Sequence, residues 1–520
     1  MYRLLIISVA TVTLVGSSGK LYTAEIETFT GIAARSGTFK RPLLDVDGKR
    51  YELKVSEKAD ASVAELLKKF SSGDTGRYIV KGTRAIVNGN DGIVIDSIVP
   101  AAETTTVKPQ KAASLTSKVV TVDNRQYTVY EFTDPESKTY CVVIPEGLKT
   151  VRGLFVNSNY YAGDSRGDWT FCHYYREFMH LHGFALVAAN GTCPHASALI
   201  GFHKSLRAIS VESGHPELVD IPYVAVGFSA GGGFASTLMT YEPEKTIAVG
   251  IYGARYNFDV FIRPNGPPGP FAVHRAIPSV LITGETEKLN DPAVDGRHKV
   301  DEVFVPHRPK GGQLAWLERQ GIGHEYDENR QDLLAMPLLD LAVRTRYPKD
   351  GDVTKGPVKL IPIDSSTGWV ADNRTWKSDL TRIAPAKEFE GDLGRSSWLQ
   401  NEDIAFIYRA YATYDNPLKI TSPEMCGPGT LPVDPGSDIT ITVDVSRFPN
   451  WKKLEFYDGA KKLGAATASP AQFTARNLTP GYHVFSVLGT DDRGIVRSSD
   501  PVMVVVRSPA DSRGARQKKF

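Results

Sequence analysis

The sequence is poor in cysteine, in net charge and in long apolar runs. It has 4 Cys in 520 residues and no C-x-x-C motif, so neither a disulfide scaffold nor a cysteine-based zinc or redox site is expected. If one pair does form, Cys172 and Cys193 are favoured because they lie nearest in sequence. The formal net charge of +2 argues against nucleic acid as a general partner. A chain of this length is too long for one core, so about two to four domains are expected.

The N-terminus has the features of an export signal. Arg3 precedes an apolar run at residues 4–15 that is too short to span a membrane, and the small residues 16–19 follow, with Ala24 as a second possible cleavage point. We therefore expect residues 1–24 to be a signal peptide and the protein to be secreted or periplasmic. An uncleaved anchor is the alternative. No later stretch reaches membrane-spanning length without charges, so the protein is not expected to span a membrane.

A β-rich segment follows at residues 25–100. It contains short strands, an Asp-Gly turn at residues 47–48 and an amphipathic helix at residues 63–70 between the strands. This order resembles a small OB-like barrel and implies no ligand. Residues 101–118 are rich in Thr, Ala and Lys and are expected to be a linker.

The chain ends in a second β-rich segment. Residues 419–507 contain short strands at regular spacing with Pro-Gly turns, which is typical of an immunoglobulin-like sandwich. We expect this sandwich to be a spacer, with contact to a cell surface or polysaccharide as the alternative. Residues 348–418 combine polar sequence with a helix at 401–414 and are expected to extend the preceding domain. Residues 508–520 are expected to be a basic tail.

The most informative stretch is the motif G-F-S-A-G at residues 227–231. It directly follows the apolar run 223–226 and leads into residues 232–239, which can form a helix. A strand, a tight turn with one serine and a helix form the context of a nucleophile elbow, in which the glycines avoid a Cβ clash. The helix N-terminus favours the negative charge that develops during acyl transfer. Ser229 is therefore the predicted nucleophile.

A serine hydroxyl needs a base to remove its proton, and the base needs an orienting carboxylate. Both residue types follow Ser229 in the chain. A late apolar strand ending at Gly284 precedes Glu287 and Asp291. His324 comes later, in a glycine-containing loop before a predicted helix. This order of serine, acid and histidine is that of an α/β-hydrolase triad, and His324 is the predicted base.

Residues 119–347, where strands alternate with helical stretches, resemble a secreted α/β-hydrolase of the esterase, feruloyl-esterase and polyhydroxyalkanoate-depolymerase kind. The resemblance implies an α/β fold with a mostly parallel, doubly wound sheet. It also implies hydrolysis of carboxylic esters through an acyl-enzyme, without a cofactor or metal. In such enzymes the acid commonly sits three residues after a glycine like Gly284, which favours Glu287. Aspartate is the commoner residue type there, and Asp291 is the alternative acid.

A second G-x-S-x-G pattern, G-D-S-R-G at residues 163–167, shows that the five-residue motif alone is weak evidence. Ser165 follows a polar and aromatic loop instead of a strand that runs into the turn. If Ser229 ends the fifth strand of a hydrolase sheet, residues 184–189 form the fourth strand and residues 153–156 the third. Ser165 then lies in the loop that normally supplies the oxyanion hole, and we expect no catalytic role for it.

The oxyanion hole should combine the backbone N–H of Ala230 with a donor from the loop after the third strand. The usual His-Gly-Gly pattern is absent from that loop, so Asn159 or Tyr160 is the expected second donor.

Three functions compete. The leading one is an exported serine hydrolase that cleaves small-molecule or polymeric carboxylic esters. A serine peptidase on the same fold would use identical groups, although nothing in the chain resembles the propeller domain typical of such oligopeptidases. The third is a non-catalytic surface or binding protein with a decayed hydrolase domain, against which the intact triad order argues.

His298 and His307 are the alternatives to His324 as the base.

Overall fold

The structure is a computed structural model that divides the chain into two compact units, Met1–Gln110 and Lys111–Phe520. Each unit is described by itself. The division falls within residues 101–118, where the sequence predicts a linker. The residues that the structure describes are 10–15, 21–35, 42–46, 49–72, 77–87, 90–100, 113–134, 138–158, 164–190, 196–253, 271–286, 305–324, 330–376, 380–413 and 415–509.

The first unit is built from six strands and one helix. These are β1 (Ala10–Val15), β2 (Leu21–Arg35), β3 (Pro42–Val46), β4 (Lys49–Val55), α1 (Ala61–Ser72), β5 (Arg77–Val87) and β6 (Asn90–Pro100). The pairing order is β2-β3-β4-β6-β5, and β5 pairs back onto β2, so these five strands close a barrel. Only the β4–β6 pairing within it is parallel.

The barrel has its own apolar core. Leu44, Val80, Ile93 and Ile95 are fully buried there, and the Leu67 side chain of α1 packs against the same cluster. The expected helix and the strands on either side of the Asp-Gly turn are present, with the turn itself outside the described residues.

Strand β1 lies outside the barrel closure. It pairs only with residues 21–26 of β2, whereas the pairing of β2 with β5 begins at Glu27. Removal of residues 1–24 would therefore leave every pairing within the closed barrel in place. The expected signal peptide stays a prediction.

The second unit contains a nine-stranded sheet. Its strands are β7 (Ser114–Val122), β8 (Arg125–Thr133), β9 (Thr139–Pro145), β10 (Gly153–Ser158), β11 (Phe184–Ala189), β12 (Tyr223–Phe228), β13 (Thr246–Tyr252), β14 (Ser279–Gly284) and β15 (Leu314–Arg319). Strand β7 begins at Ser114, so the last residues of the expected linker belong to the sheet. The hairpin between β7 and β8 turns at Asp123 and Asn124, both with positive φ, as two-residue hairpin turns require.

The strand order is β7-β8-β9-β11-β10-β12-β13-β14-β15. The strands from β10 to β15 are parallel to their neighbours of that set, and β7, β8 and β9 join antiparallel. Strand β10 therefore lies between β11 and β12, which matches the expected third, fourth and fifth strands. The unit has an α/β-hydrolase-like fold.

Helices cover this sheet. They are α2 (Asp168–Phe171), α3 (His173–His182), α4 (Ala196–Ser213), α5 (Ala230–Tyr241), α6 (Phe271–Arg275) and α7 (Asp332–Arg346). Strands β9 to β14 are buried at every position, as strands covered on both faces are. Helix α3 contacts α7, and α4 contacts α5.

An extension packs against the β15 edge of the sheet. It contains β16 (Trp369–Asp372), β17 (Ile383–Pro385), β18 (Ser396–Leu399) and α8 (Glu402–Ala412). The Ser397 hydroxyl accepts the Trp316 N–H of β15 at 2.9 Å and lies 3.0 Å from its carbonyl oxygen. The Tyr408 hydroxyl donates to that same carbonyl. Side chains thus satisfy backbone groups at this sheet edge, and Trp398 is fully buried beside them.

Two antiparallel sheets form the C-terminal sandwich. Their strands are β19 (Lys419–Ser422), β20 (Ile439–Asp444), β21 (Trp451–Asp458), β22 (Lys461–Ala466), β23 (Gln472–Ala475), β24 (Gly481–Asp491), β25 (Val496–Ser498) and β26 (Val502–Val506). One sheet is β19-β20-β23, and the other is β22-β21-β24 with β25 and β26 paired to β24. Leu454, Phe456 and Phe485 are fully buried in the core between them.

The sandwich also shares a core with the nine-stranded sheet. Val484, Met503 and Val505 belong to the apolar cluster of the α/β part. Ser508, the first residue of the expected basic tail, donates from its N–H and its hydroxyl to Glu177 Oε2 of α3, at 2.8 Å and 2.9 Å. The other oxygen of Glu177 accepts from Arg125 at 2.8 Å, so this buried carboxylate is satisfied from both segments.

Candidate active site

Ser229 stands at the tip of a sharp turn between β12 and α5. Its φ is +53° and its ψ is −120°, a conformation that side chains other than glycine rarely adopt and that is associated with functional sites. A backbone hydrogen bond ties the turn to the neighbouring strand, because the Ser229 N–H donates to the carbonyl of Tyr252 on β13 at 2.9 Å. The side chain is half-buried, so its hydroxyl can be reached from solvent.

The glycines of the elbow are required by close approach of backbone. A Cβ at Gly227 would lie 2.2 Å from the carbonyl oxygen of Gly231, and a Cβ at Gly231 would lie 1.4 Å from the carbonyl oxygen of Ser158. Neither glycine has a positive φ, so the reason is steric crowding alone. Any side chain at Gly231 would push strand β10 away from the N-terminus of α5.

His324 lies beside the Ser229 hydroxyl. Its Nε2 is 3.0 Å from Ser229 Oγ, which is within hydrogen-bond reach for a general base. The imidazole stacks on the Phe228 ring with the ring centroids 5.0 Å apart and the planes at 30°. Its Nδ1 faces Gly253, where a Cβ would come within 3.4 Å of it. The structure therefore brings together two residues that are 95 positions apart in the chain.

The segment expected to carry the acid begins in contact with the histidine loop. The Glu285 carboxylate accepts from the Gly321 N–H at 2.9 Å, and the Thr286 N–H donates to the Ile322 carbonyl at 2.9 Å. Both acid candidates, Glu287 and Asp291, lie outside the described residues. The assignment of the acid stays a prediction.

The expected oxyanion site begins at the N-terminus of α5. Ala230 is the first residue of that helix and is half-buried. Strand β10 is fixed against the elbow, because the Ser158 hydroxyl lies 2.8 Å from the Val226 carbonyl oxygen and 2.9 Å from that of Gly231. Asn159 and Tyr160 follow Ser158 directly but lie outside the described residues.

Ser165 occupies a different environment. Its side chain is buried, and its hydroxyl lies 2.9 Å from the Asn157 carbonyl oxygen and 3.1 Å from that of Ala189. These contacts join the ends of β10 and β11, which is a structural role. The geometry agrees with the expectation that Ser165 is not the nucleophile.

The other described histidines of the α/β part have structural surroundings. Three of them lie on α3: His173 contacts the Thr430 hydroxyl, His180 the Tyr127 hydroxyl at 2.8 Å, and His182 the Asp340 carboxylate at 2.9 Å. Burial lowers the pKa of His173 to about 4. Burial also lowers the pKa of His307, one of the alternative bases. The other, His298, is outside the described residues.

The Cys172–Cys193 pair, which was favoured if any pair formed, does not form. Cys172 is a free thiol, buried next to the Tyr174 hydroxyl at 3.2 Å, and burial raises its pKa to about 12. Cys141 and Cys426 are also free and buried. Apolar packing, rather than pairing, accounts for these cysteines.

Sequence reasoning missed two buried aspartates, Asp332 and Asp168, and the groups that donate hydrogen bonds to them. The Asp332 carboxylate, at the start of α7, accepts from the hydroxyls of Tyr175 and Tyr252 at 3.1 Å and 3.0 Å. Asp168 accepts from the Asn157 side chain at 3.0 Å, and burial raises the pKa of Asp168 to about 7. The available signal in the sequence was an aspartate at the start of each of the two helices. A negative charge is favourable at any helix N-terminus, so this position did not by itself indicate a buried hydrogen-bonded carboxylate.

Among the described residues, no cluster of three or more histidine, cysteine or acidic side chains is arranged to hold a metal ion. A search of the same residues finds no helix with the length and apolar character needed to cross a membrane.

Comparison with known proteins gives structural neighbours alone. No protein-family model and no curated sequence matches the chain. A ferulic acid esterase is 14% identical and covers 45% of this chain and 98% of its own, with a TM-score of 0.28. Acetyl xylan esterase 1 from a Thermoanaerobacterium species is 14% identical over 44% of this chain and 88% of its own, with a TM-score of 0.26.

A third neighbour covers a smaller share of the chain. The fibronectin(III)-like modules of Clostridium thermocellum CbhA are 22% identical and cover 17% of this chain and 94% of their own, with a TM-score of 0.16. Because all three TM-scores are below 0.5, the fold assignment depends on the strand order and the elbow, and the function on the site geometry.

Proposed function

We propose that the protein is a serine hydrolase that cleaves carboxylic esters through an acyl-enzyme intermediate. The observation that carries the proposal is the 3.0 Å separation of Ser229 Oγ and His324 Nε2 at a strained strand-to-helix turn. A serine hydroxyl becomes a useful nucleophile when an imidazole can take its proton. Both groups are reachable from solvent, as a substrate requires.

The reaction follows from this geometry. Ser229 Oγ attacks the ester carbonyl carbon while its proton passes to His324 Nε2. The carbonyl oxygen becomes an oxyanion next to the Ala230 N–H at the start of α5, with Asn159 or Tyr160 as the second donor. The imidazolium then protonates the leaving alcohol and an ester bond to Ser229 remains. Water, deprotonated by His324, hydrolyses that ester and restores the free serine.

An acid must stabilise the imidazolium in this sequence. Glu287 is the proposed residue, with Asp291 as the alternative. Thr286 directly precedes Glu287, and its backbone is hydrogen-bonded to the Ile322 carbonyl two residues before His324. This contact supports an acid early in the loop, because the chain leaves β14 beside the histidine.

The proposal also covers the β-rich segments at the two ends of the chain and the export of the protein. The strand order of the first unit, with a helix between its third and fourth barrel strands, supports an OB-like barrel. The two antiparallel sheets near the C-terminus support an immunoglobulin-like sandwich, which we propose to be a spacer, with contact to a cell surface or polysaccharide as the alternative. Export is proposed from the N-terminal sequence, and a new N-terminus before residue 25 in mass spectra of secreted or periplasmic protein would test it.

Turnover of a short aryl ester and of a chromogenic peptide, measured on the same preparation, tests the reaction class. We expect ester hydrolysis to dominate and a serine-directed phosphonate to label Ser229. Preferential peptide cleavage would indicate the peptidase alternative. Absence of both activities, with no phosphonate label, would indicate a non-catalytic binding protein.

A further inference from the structure

We infer that Asp332 is a positioning residue that fixes the two halves of the proposed catalytic pair relative to one another. The inference rests on the proposed ester hydrolysis. Asp332 is fully buried, and both of its oxygens accept hydroxyl hydrogen bonds, from Tyr175 at 3.1 Å and from Tyr252 at 3.0 Å. A buried carboxylate with two donors and a helix N-terminus around it is held in one orientation.

One of these tyrosines reaches the nucleophile through its backbone. Tyr252 is the last residue of β13, and its carbonyl accepts the Ser229 N–H at 2.9 Å. The next residue, Gly253, borders the histidine, since a Cβ there would come within 3.4 Å of His324 Nδ1. A shift of Tyr252 would therefore be transmitted to both members of the catalytic pair.

Asp332 itself is tied to the histidine loop. It is the first residue of α7, the helix that follows His324 in the chain, and lies eight positions after that residue. The carboxylate thus connects the start of α7 to β13, the strand that holds the nucleophile elbow.

The second tyrosine extends the connection to the oxyanion side. Tyr175 lies on α3, and its ring packs on Phe155 of β10 with the centroids 4.9 Å apart. Strand β10 ends at Ser158, which is pressed against Gly231 at the elbow. One carboxylate therefore links the three segments that lead to the nucleophile, to the base and to the expected oxyanion loop.

A matched control lies on the same helix. Asp340 is also buried and is paired with His182 at 2.9 Å, but it is about 12 Å further along α7 at 1.5 Å per residue. A loss of general stability should appear in both Asp332→Asn and Asp340→Asn. A loss of catalytic positioning should appear only in Asp332→Asn.

The experiment compares kcat, KM and the rate of phosphonate labelling for an aryl ester in wild type, Asp332→Asn, Tyr252→Phe and Asp340→Asn. We expect Asp332→Asn and Tyr252→Phe to lower kcat and the labelling rate by about 10- to 100-fold, because small misplacements of reacting groups have effects of that size. KM should change by less than about threefold, because the bound ester is contacted by other groups. Asp340→Asn should keep the wild-type kcat while lowering the thermal unfolding temperature.

Unchanged kcat in folded Asp332→Asn and Tyr252→Phe would overturn this inference and leave the proposed function intact. An inactive and unlabelled wild-type protein would overturn the proposed function and this inference together. If Asp332→Asn does not fold, Tyr252→Phe decides, because it removes one hydroxyl and keeps the buried ring.

Discussion

Ser229 and Ser165 stand in the middle of the same five-residue pattern, in segments that each follow a strand of one sheet. The Ser229 hydroxyl is reachable from solvent and has His324 Nε2 at 3.0 Å. The Ser165 hydroxyl is buried, and carbonyl oxygens of Asn157 and Ala189 surround it. The difference teaches that reactivity comes from what the backbone places around the hydroxyl. A carbonyl accepts a hydrogen bond but cannot carry a proton away, whereas an imidazole can.

The largest expected effect is on turnover. Ser229→Ala should lower kcat for an aryl ester by about 10⁴-fold or more, because the nucleophile is lost. Ser165→Ala should keep most of the turnover and lower the free energy of unfolding by about 1–2 kcal/mol, since carbonyl partners lose a buried donor. Ester kinetics together with urea unfolding would measure both. A phosphonate label on Ser165 would reverse the comparison.

The second-largest expected effect is the loss of turnover when the acid of the proposed triad is replaced. As a nucleophile, Ser229 requires this acid, whereas Ser165 has no catalytic role in the proposal. Glu287→Gln should lower kcat by about 10³-fold or more, because a neutral amide cannot stabilise the imidazolium of His324. Asp291→Asn should be milder if that side chain only supports its loop. The variants are compared at equal thermal stability. Near-wild-type turnover of Glu287→Gln beside a collapsed rate of Asp291→Asn would move the acid to Asp291.

The last glycines of the two motifs allow a comparison of backbone crowding. A Cβ at Gly231 would lie 1.4 Å from the Ser158 carbonyl oxygen, whereas a Cβ at Gly167 meets nothing within 4 Å. Gly231→Ala should therefore lower the free energy of unfolding by about 3–5 kcal/mol, and Gly167→Ala should change it by less than about 1 kcal/mol. Urea titration measures the difference. Equal stabilities would show that β10 is not pressed against the elbow.

The smallest expected effect is a pH dependence of stability that comes from Asp168, the residue directly after the second motif. Burial raises the pKa of Asp168 to about 7, well above the ordinary value of about 4 for aspartate, so the folded protein holds a proton that the unfolded chain releases between these values. Stability should fall as the pH rises from about 4 to about 7. Asp168→Asn removes this dependence, so its stability relative to wild type should rise across that window by about 2–4 kcal/mol. A pH-independent difference would contradict the assignment.

Local sequence was enough to predict the strand, elbow and helix around Ser229, because their signals are contiguous. His324 was predictable from chain order and a glycine-containing loop. Sequence could not choose between Glu287 and Asp291, since both follow Gly284 closely in the chain and either carboxylate is a suitable triad acid. The contact of Tyr175 with Asp332, which are 157 residues apart, had no signal at all, because a buried hydroxyl leaves no periodic pattern.

Sequence also could not predict which apolar core the residues of the two β-rich segments enter. Short strands and turns predicted β-rich segments at both ends of the chain. The barrel has a separate core, while Val484, Met503 and Val505 of the sandwich lie in the core of the nine-stranded sheet. These residues are apolar strand positions in either case, so their pattern does not reveal which core they enter.

The contact of Ser508 with Glu177 has a consequence for the order in which the chain folds. The buried carboxylate on α3 receives two of its hydrogen bonds from a residue 331 positions later. During synthesis, the α/β part therefore cannot complete its buried hydrogen bonds until residue 508 has left the ribosome. If the protein is exported as proposed, this late completion helps the chain to remain unfolded until it has crossed the membrane.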